Sequence, residues 1–152
     1  MNKALIYIKS ILVPLLIGVT VGFITSSYMD NSMLVQPSFA PATILFPIVW
    51  TVLYTLMGVS YSILKTNSLT DDKINRIYYS QLLVNALWSF LFFVFEWRLF
   101  SFFWILLLIV LVILMIIKFY KKNKVAGLLQ IPYLLWISFA SVLNLAIYLL
   151  NR

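Results

Sequence analysis

Five apolar runs, each long enough to cross a bilayer, constrain this chain more than anything else in it. About 20 helical residues cross a hydrocarbon core ~30 Å thick. The runs cover roughly residues 4–27, 44–64, 77–95, 99–117 and 125–150. Membrane strands alternate polar and apolar residues, and these runs do not. The pattern therefore predicts an all-α fold: an integral membrane bundle of five transmembrane helices, with residues 1–152 as a single domain. Composition agrees. Of 152 residues, 64% are hydrophobic and 10% charged, against about 45–50% and 25% in a soluble domain. The first run has a second reading as a signal peptide, because Lys3 and Lys9 resemble a basic leading region and Thr25, Ser26 and Ser27 are a run of small residues at its end. Its length favours a retained span.

The basic residues lie between the runs and predict orientation. Lys3, Lys9, Lys65, Lys73, Arg76, Lys118, Lys121, Lys122 and Lys124 fall at one end of the bundle, nine in all, against Arg98 and Arg152 at the other. Cytoplasmic connections carry the excess of Lys and Arg. The N-terminus is thus expected in the cytoplasm and the C-terminus outside, together with the first loop. A net charge of +7 distributed in this way reads as membrane orientation, not as a nucleic-acid surface.

Histidine and cysteine are both absent. No disulfide or thiolate chemistry is available, nor is the commonest metal ligand and proton shuttle. No metal site and no cofactor are expected. No internal repeat and no nucleotide-binding loop is visible. The buried spans hold no charge that would couple transport to an ion gradient.

Helical spacing gathers polar and aromatic groups on particular faces. Trp50, Tyr54, Met57 and Tyr61 share a stripe on the second run; Gln81, Asn85, Trp88 and Phe92 do so on the third; Tyr133, Trp136, Ala140 and Asn144 do so on the fifth. An unpaired amide in an apolar medium costs roughly 2–7 kcal/mol, so Gln81, Asn85 and Asn144 should point into the bundle. Each has two readings: an interhelical hydrogen bond that holds helices together, or the polar anchor of a cavity. Trp97 fits an interfacial anchor, whereas Trp50, Trp88 and Trp136 share faces with polar or small residues. The fourth run is apolar throughout from Phe102 to Ile117 apart from the Trp104 indole nitrogen, which predicts the most lipid-exposed helix. Gly18-Val19-Thr20-Val21-Gly22 matches a close-packing motif and is expected to act within the chain. The sixteen-residue stretch Tyr28 to Thr43 contains Pro37 and Pro41, with Asp30, Asn31, Ser32, Met29, Met33, Leu34, Val35 and Phe39. A loop of that length in so small a bundle suggests a lid. Thr43 is a candidate cap for the second helix, and Pro47 suits its first turn. Together these features predict an aromatic pocket near the outer end, covered by the first loop. Flat aromatic walls with few polar anchors favour a planar hydrophobic ligand.

Three blocks carry a resemblance. "FPIVWTVLYTLMG" (Phe46 to Gly58), "QLLVNALWSFLFF" (Gln81 to Phe93) and "GLLQIPYLLWISFASVLNLAIYLLN" (Gly127 to Asn151) resemble the second, third and fifth helices of the TspO/MBR family. This is the group of tryptophan-rich sensory proteins, translocator proteins and peripheral-type benzodiazepine receptors. The resemblance covers nearly the whole chain. It implies a five-helix bundle in a bacterial cell membrane, often a homodimer, that binds porphyrins, sterols and synthetic aromatic ligands under the first loop. It places pocket residues at Trp50, Asn85, Trp136 and Ala140, and Phe46, Tyr54, Gln81, Trp88 and Asn144 join them as ligand-binding candidates from the faces and blocks above. It also implicates Trp50 and Trp136 in light-dependent breakdown of protoporphyrin. Three functions follow as expectations: a porphyrin-binding sensor or scavenger, a light-dependent porphyrin-degrading enzyme, or a transporter of porphyrin or sterol. Without His or Cys, a metal-free porphyrin should suit the site better than haem. The chain departs from the family at Pro41-Ala42, where Pro-Pro is usual, and at Phe103 and Trp104, where many members carry an acidic residue. A sterol-type pattern can be traced through Leu143, Tyr148 and Arg152.

Overall fold

The computed structural model describes residues 2–29 and 33–152. Asp30, Asn31 and Ser32 of the long loop, and Met1, lie outside the described residues. The described chain is helical with no strand: α1 (Lys3–Thr25, continued by a tight turn over Ser26–Tyr28), α2 (Leu45–Thr66), α3 (Asp72–Ser89), α4 (Arg98–Lys122), α5 (Lys124–Leu128) and α6 (Ile131–Leu150). Among the described residues five spans are long and apolar enough to cross a membrane, the fifth formed by α5 and α6 together.

Local chemistry sets the ends. Asn2 accepts a hydrogen bond from the Ala4 N–H at 3.0 Å and starts α1. Asp71 accepts from the Ile74 N–H at 2.9 Å and starts α3. That N–H, followed by the Lys122 ammonium 3.0 Å away, holds the Asp71 carboxyl below the usual carboxylate range. Asn123 accepts from the Ala126 N–H at 3.1 Å and opens α5. Pro132, near the start of α6, lacks the N–H that would continue α5, so the fifth span bends there. The third span ends in one wide turn over Phe90–Val94, where the Phe95 N–H reaches back to the Phe90 carbonyl at 2.9 Å.

Three expectations change. α3 starts at Asp72, more than a turn before Ile77, because a capped polar turn carries it beyond the apolar stretch. Ile44, not Thr43, occupies the cap position of α2, with no side-chain hydrogen bond to the helix; the Thr43 backbone carbonyl accepts from the Phe46 N–H instead. Pro47 does lie in the first turn. Finally, α4 is not the most lipid-exposed span. Within its apolar window 28% is buried, against 11% for α1. Ser101, Ile105, Leu108, Val112, Met115 and Phe119 form its buried seam, spaced alternately four and three residues apart. That seam faces α3 on one side and α5 and α6 on the other. Apolarity alone does not separate a lipid face from a packed face when both are greasy, whereas the seam's period does.

α1 lies along α2, and at Gly58 the two backbones approach closely. A Cβ at Gly58 would run into the Ile11 Cα and sit 2.7 Å from the Ser10 carbonyl oxygen. Gly18 packs against the Tyr54 ring within the chain, while a Cβ on Gly22 would meet nothing. α2 and α6 meet chiefly through aromatic side chains and not through their backbones.

Candidate ligand-binding site

The inward faces of α2, α3 and α6 converge on a chain of hydrogen bonds. The Tyr54 hydroxyl donates to Asn85 Oδ1 at 2.9 Å, and Asn85 Nδ2 donates to the Tyr133 hydroxyl oxygen at 2.7 Å. Tyr133 in turn donates to Gln81 Oε1 at 2.7 Å, and Gln81 Nε2 points at the Met57 sulfur 3.9 Å away. Gln81, Asn85 and Tyr133 are all buried. This network joins three helices and satisfies groups that would be costly in lipid. The interhelical hydrogen bonds of the first reading are thus present at Gln81 and Asn85.

A second cluster lies toward the end of the bundle that carries the first loop. Asn144, buried on α6, accepts at Oδ1 from the Trp88 indole N–H and from the Ser101 hydroxyl, each at 3.0 Å. Its Nδ2 donates to the Arg98 carbonyl at 2.8 Å. Trp88 also stacks on Phe92, centroids 5.2 Å apart. Asn144 therefore ties α3, α4 and α6 together.

The aromatic residues form a third group between α2 and α6. Trp50 stacks on Tyr54 at 5.3 Å and meets the Tyr133 ring edge-on at 6.2 Å. Trp136 meets Phe46 edge-on at 5.7 Å and Phe139 at 5.6 Å. Ala140, buried, lies one turn beyond Trp136. The indole N–H of Trp136 is buried and has no hydrogen-bond partner among the described residues. Of the residues predicted to bind ligand, Phe46, Trp50, Tyr54 and Trp136 share this aromatic group; Gln81 and Asn85 lie behind it, and Trp88 and Asn144 beside it. Tyr133 and Ser101 were not among the predicted site residues. Tyr133 sits on the same stripe as Trp136, and its phenol is what Gln81 and Asn85 need. Ser101 gave no signal, being one small hydroxyl at the head of an apolar helix.

The described part of the first loop, residues 33–43, packs on α6 at the edge of this group. Asn151 accepts from the Val35 N–H at 2.8 Å and donates to the Val35 carbonyl at 2.9 Å. Phe39 touches Phe139 with centroids 6.3 Å apart. Leu34, Ala40 and Phe46 pack on a cluster of Phe92, Leu143 and Ile147. The loop from Val35 to Phe39 thus runs down the side of α6 from Asn151 to Phe139. Recesses among the described residues lie elsewhere. One of about 310 Å³ is lined by Trp97, Arg98, Phe100, Tyr148 and Arg152 among others; one of about 70 Å³ lies at the lysine-rich end. Neither is lined by Trp50 or Trp136. Phe46, Trp50, Tyr54, Trp136 and Phe139 are half-buried, and Phe39, which leans on Phe139, is exposed.

The family model described as the TspO/MBR family matches residues 10–150. The chain belongs to the TspO/MBR family. Among similar proteins, the tryptophan-rich protein TspO of Archaeoglobus fulgidus is 40% identical over 147 residues, 95% of each chain. The protein of the same name from Chlorobaculum tepidum is 34% identical over 140 residues, 86% of this chain and 89% of its own. Protein CrtK of Rhodobacter capsulatus is 28% identical over 119 residues, 76% and 74% respectively. This family member is an integral membrane protein, and its tryptophans lie on faces that pack inside the bundle as well as at its rim. Trp97, 57% exposed and stacked on Phe95, is of the rim kind.

Asn151→Ala removes both hydrogen bonds to Val35. Each contributes about 0.5–1.5 kcal/mol, so amide exchange at Val35 is expected to accelerate about 10-fold or more. Hydrogen exchange resolved to that segment checks it. Unchanged exchange would show that Leu34, Phe39 and Ala40 hold the loop by themselves.

Proposed function

We propose that this TspO/MBR-family protein binds protoporphyrin IX, or a related planar hydrophobic ligand, between α2 and α6, and serves as a sensor or scavenger of tetrapyrroles. The observation that carries the reading is the Trp136 indole: a buried N–H donor without a partner, flanked by Phe46 and Phe139. A buried donor left unmatched costs about 1–3 kcal/mol, and a ligand acceptor would recover it. Trp50 and Trp136 supply the stacking faces, and Tyr54, anchored to Asn85, holds the Trp50 ring in place. The ligand takes the space between α2 and α6, and the loop from Val35 to Ala40 swings aside to admit it. With no His or Cys in the chain, the macrocycle is held by its faces and edges, so metal-free porphyrin binds at least as well as haem. The nine basic residues at one end face the cytoplasm, which places the loop and the C-terminus outside. Two copies pair in the membrane, as the family resemblance implies.

Titration of the full-length protein in lipid nanodiscs with protoporphyrin IX, followed by tryptophan fluorescence, tests the reading. Saturable quenching is expected. Quenching that rises linearly, as in a nanodisc holding an unrelated helical protein, would refute it.

A further inference from the structure

At the lysine-rich end, α1, α2 and α3 enclose a recess of about 70 Å³, several times the ~10–15 Å³ that one water needs and too small for a tetrapyrrole. Lys9 and Ser10 of α1, Tyr61 and Lys65 of α2, and Tyr78 and Tyr79 of α3 line it, and no lining residue is acidic. Among the described residues neither Lys9 nor Lys65 forms an ion pair. The Lys65 ammonium lies 5.9 Å from the centre of the Tyr61 ring, and Tyr61 is fixed by a 2.8 Å hydrogen bond to Asn75. Lys9 stands well inside α1, roughly 9 Å along the axis from Lys3. A lysine at that depth either snorkels to the surface or meets an anion. Tyr78 adds an independent sign of a missing partner: it is 1% exposed, and its hydroxyl is buried with no hydrogen-bond partner.

We propose that this recess binds the phosphate of an anionic phospholipid headgroup. Two ammoniums and the unpartnered Tyr78 hydroxyl, with no competing carboxylate, match a tetrahedral oxyanion that accepts several hydrogen bonds at once. The bilayer supplies that anion at the depth where these residues lie, and two lysines favour an anionic lipid over a zwitterionic one. The site is separate from the aromatic group, which lies toward the opposite end of the bundle.

The test is native mass spectrometry of the full-length protein, released from mixed micelles containing equal phosphatidylglycerol and phosphatidylcholine. The wild type is expected to retain phosphatidylglycerol about 10-fold or more in preference to phosphatidylcholine. Lys9→Gln with Lys65→Gln should abolish the preference. Tyr78→Phe should reduce it by a few-fold with helix content and melting unchanged. Lys121→Gln with Lys124→Gln, which removes the same charge from the same end, should leave it intact. Equal loss in the two double variants would reduce the effect to general surface charge and overturn the site. Displacement of the lipid by millimolar inorganic phosphate would overturn the lipid assignment in favour of a free oxyanion.

Discussion

Gly58→Leu is expected to prevent the bundle from assembling into a cooperatively melting form. A side chain there meets the main chain of α1, with the Ile11 Cα and the Ser10 carbonyl directly in its way. A rotamer change cannot relieve a clash with backbone, so α1 would have to move off α2. Overpacking costs about 1–3 kcal/mol even where neighbours can adjust, and here they adjust least. Gly58→Ala should lower stability by an amount in that range, after offsetting the better helix propensity of alanine, at most about 1 kcal/mol. Gly18→Ala should fall in between. Its Cβ would lie 2.7 Å from Tyr54 Cδ2, and that ring is held by Asn85 and by Trp50. Gly22→Ala meets nothing and should be neutral or slightly stabilising. Thermal unfolding in detergent, followed by circular dichroism, ranks the series. A Gly58→Ala variant as stable as the wild type would contradict the close approach of α1 to α2.

Replacing both Trp50 and Trp136 by Ala should weaken protoporphyrin IX binding by about 100-fold or more, since central aromatic anchors cost about 2 kcal/mol or more each on truncation. The porphyrin's own absorbance shift is the right readout, because the substitutions remove tryptophan emission. Trp136→Phe separates two contributions. It keeps an aromatic face but deletes the unpartnered N–H, and should cost about 10-fold. Trp97→Ala, far out on the rim, should leave affinity unchanged. An unchanged dissociation constant in the double variant would remove the porphyrin from the space between α2 and α6.

Much of this architecture is legible in the sequence because the bilayer imposes one rule on it. Five runs of spanning length leave few alternatives to a helical bundle, and the spacing of Gln81 with Asn85, or Tyr133 with Trp136, turns those side chains inward. What the amides do there depends on partners from other helices. Asn85 bonds to Tyr54 and Tyr133, and Asn144 to Trp88 and Ser101, pairings that no single-helix pattern contains. The exposure of α1 relative to α4 escaped for a related reason. Both are largely apolar, and in α4 only the period of Ile105, Leu108, Val112 and Met115 marks the packed seam. The loop's path depends on the reciprocal Val35–Asn151 hydrogen bonds, which join residues 116 positions apart. The start of α3 escaped for a local reason, because its Asp71 cap lies in a polar stretch that an apolarity scan passes over.

A structure of the protein with bound protoporphyrin IX tests the central claim most directly. The account predicts the macrocycle between α2 and α6, with its plane within about 4.5–7 Å of the Trp50 and Trp136 rings and the loop from Val35 to Ala40 drawn away from α6. A macrocycle seated instead in the recess of about 310 Å³ beside Trp97, Arg98 and Tyr148, with Phe39 still against Phe139, would contradict it.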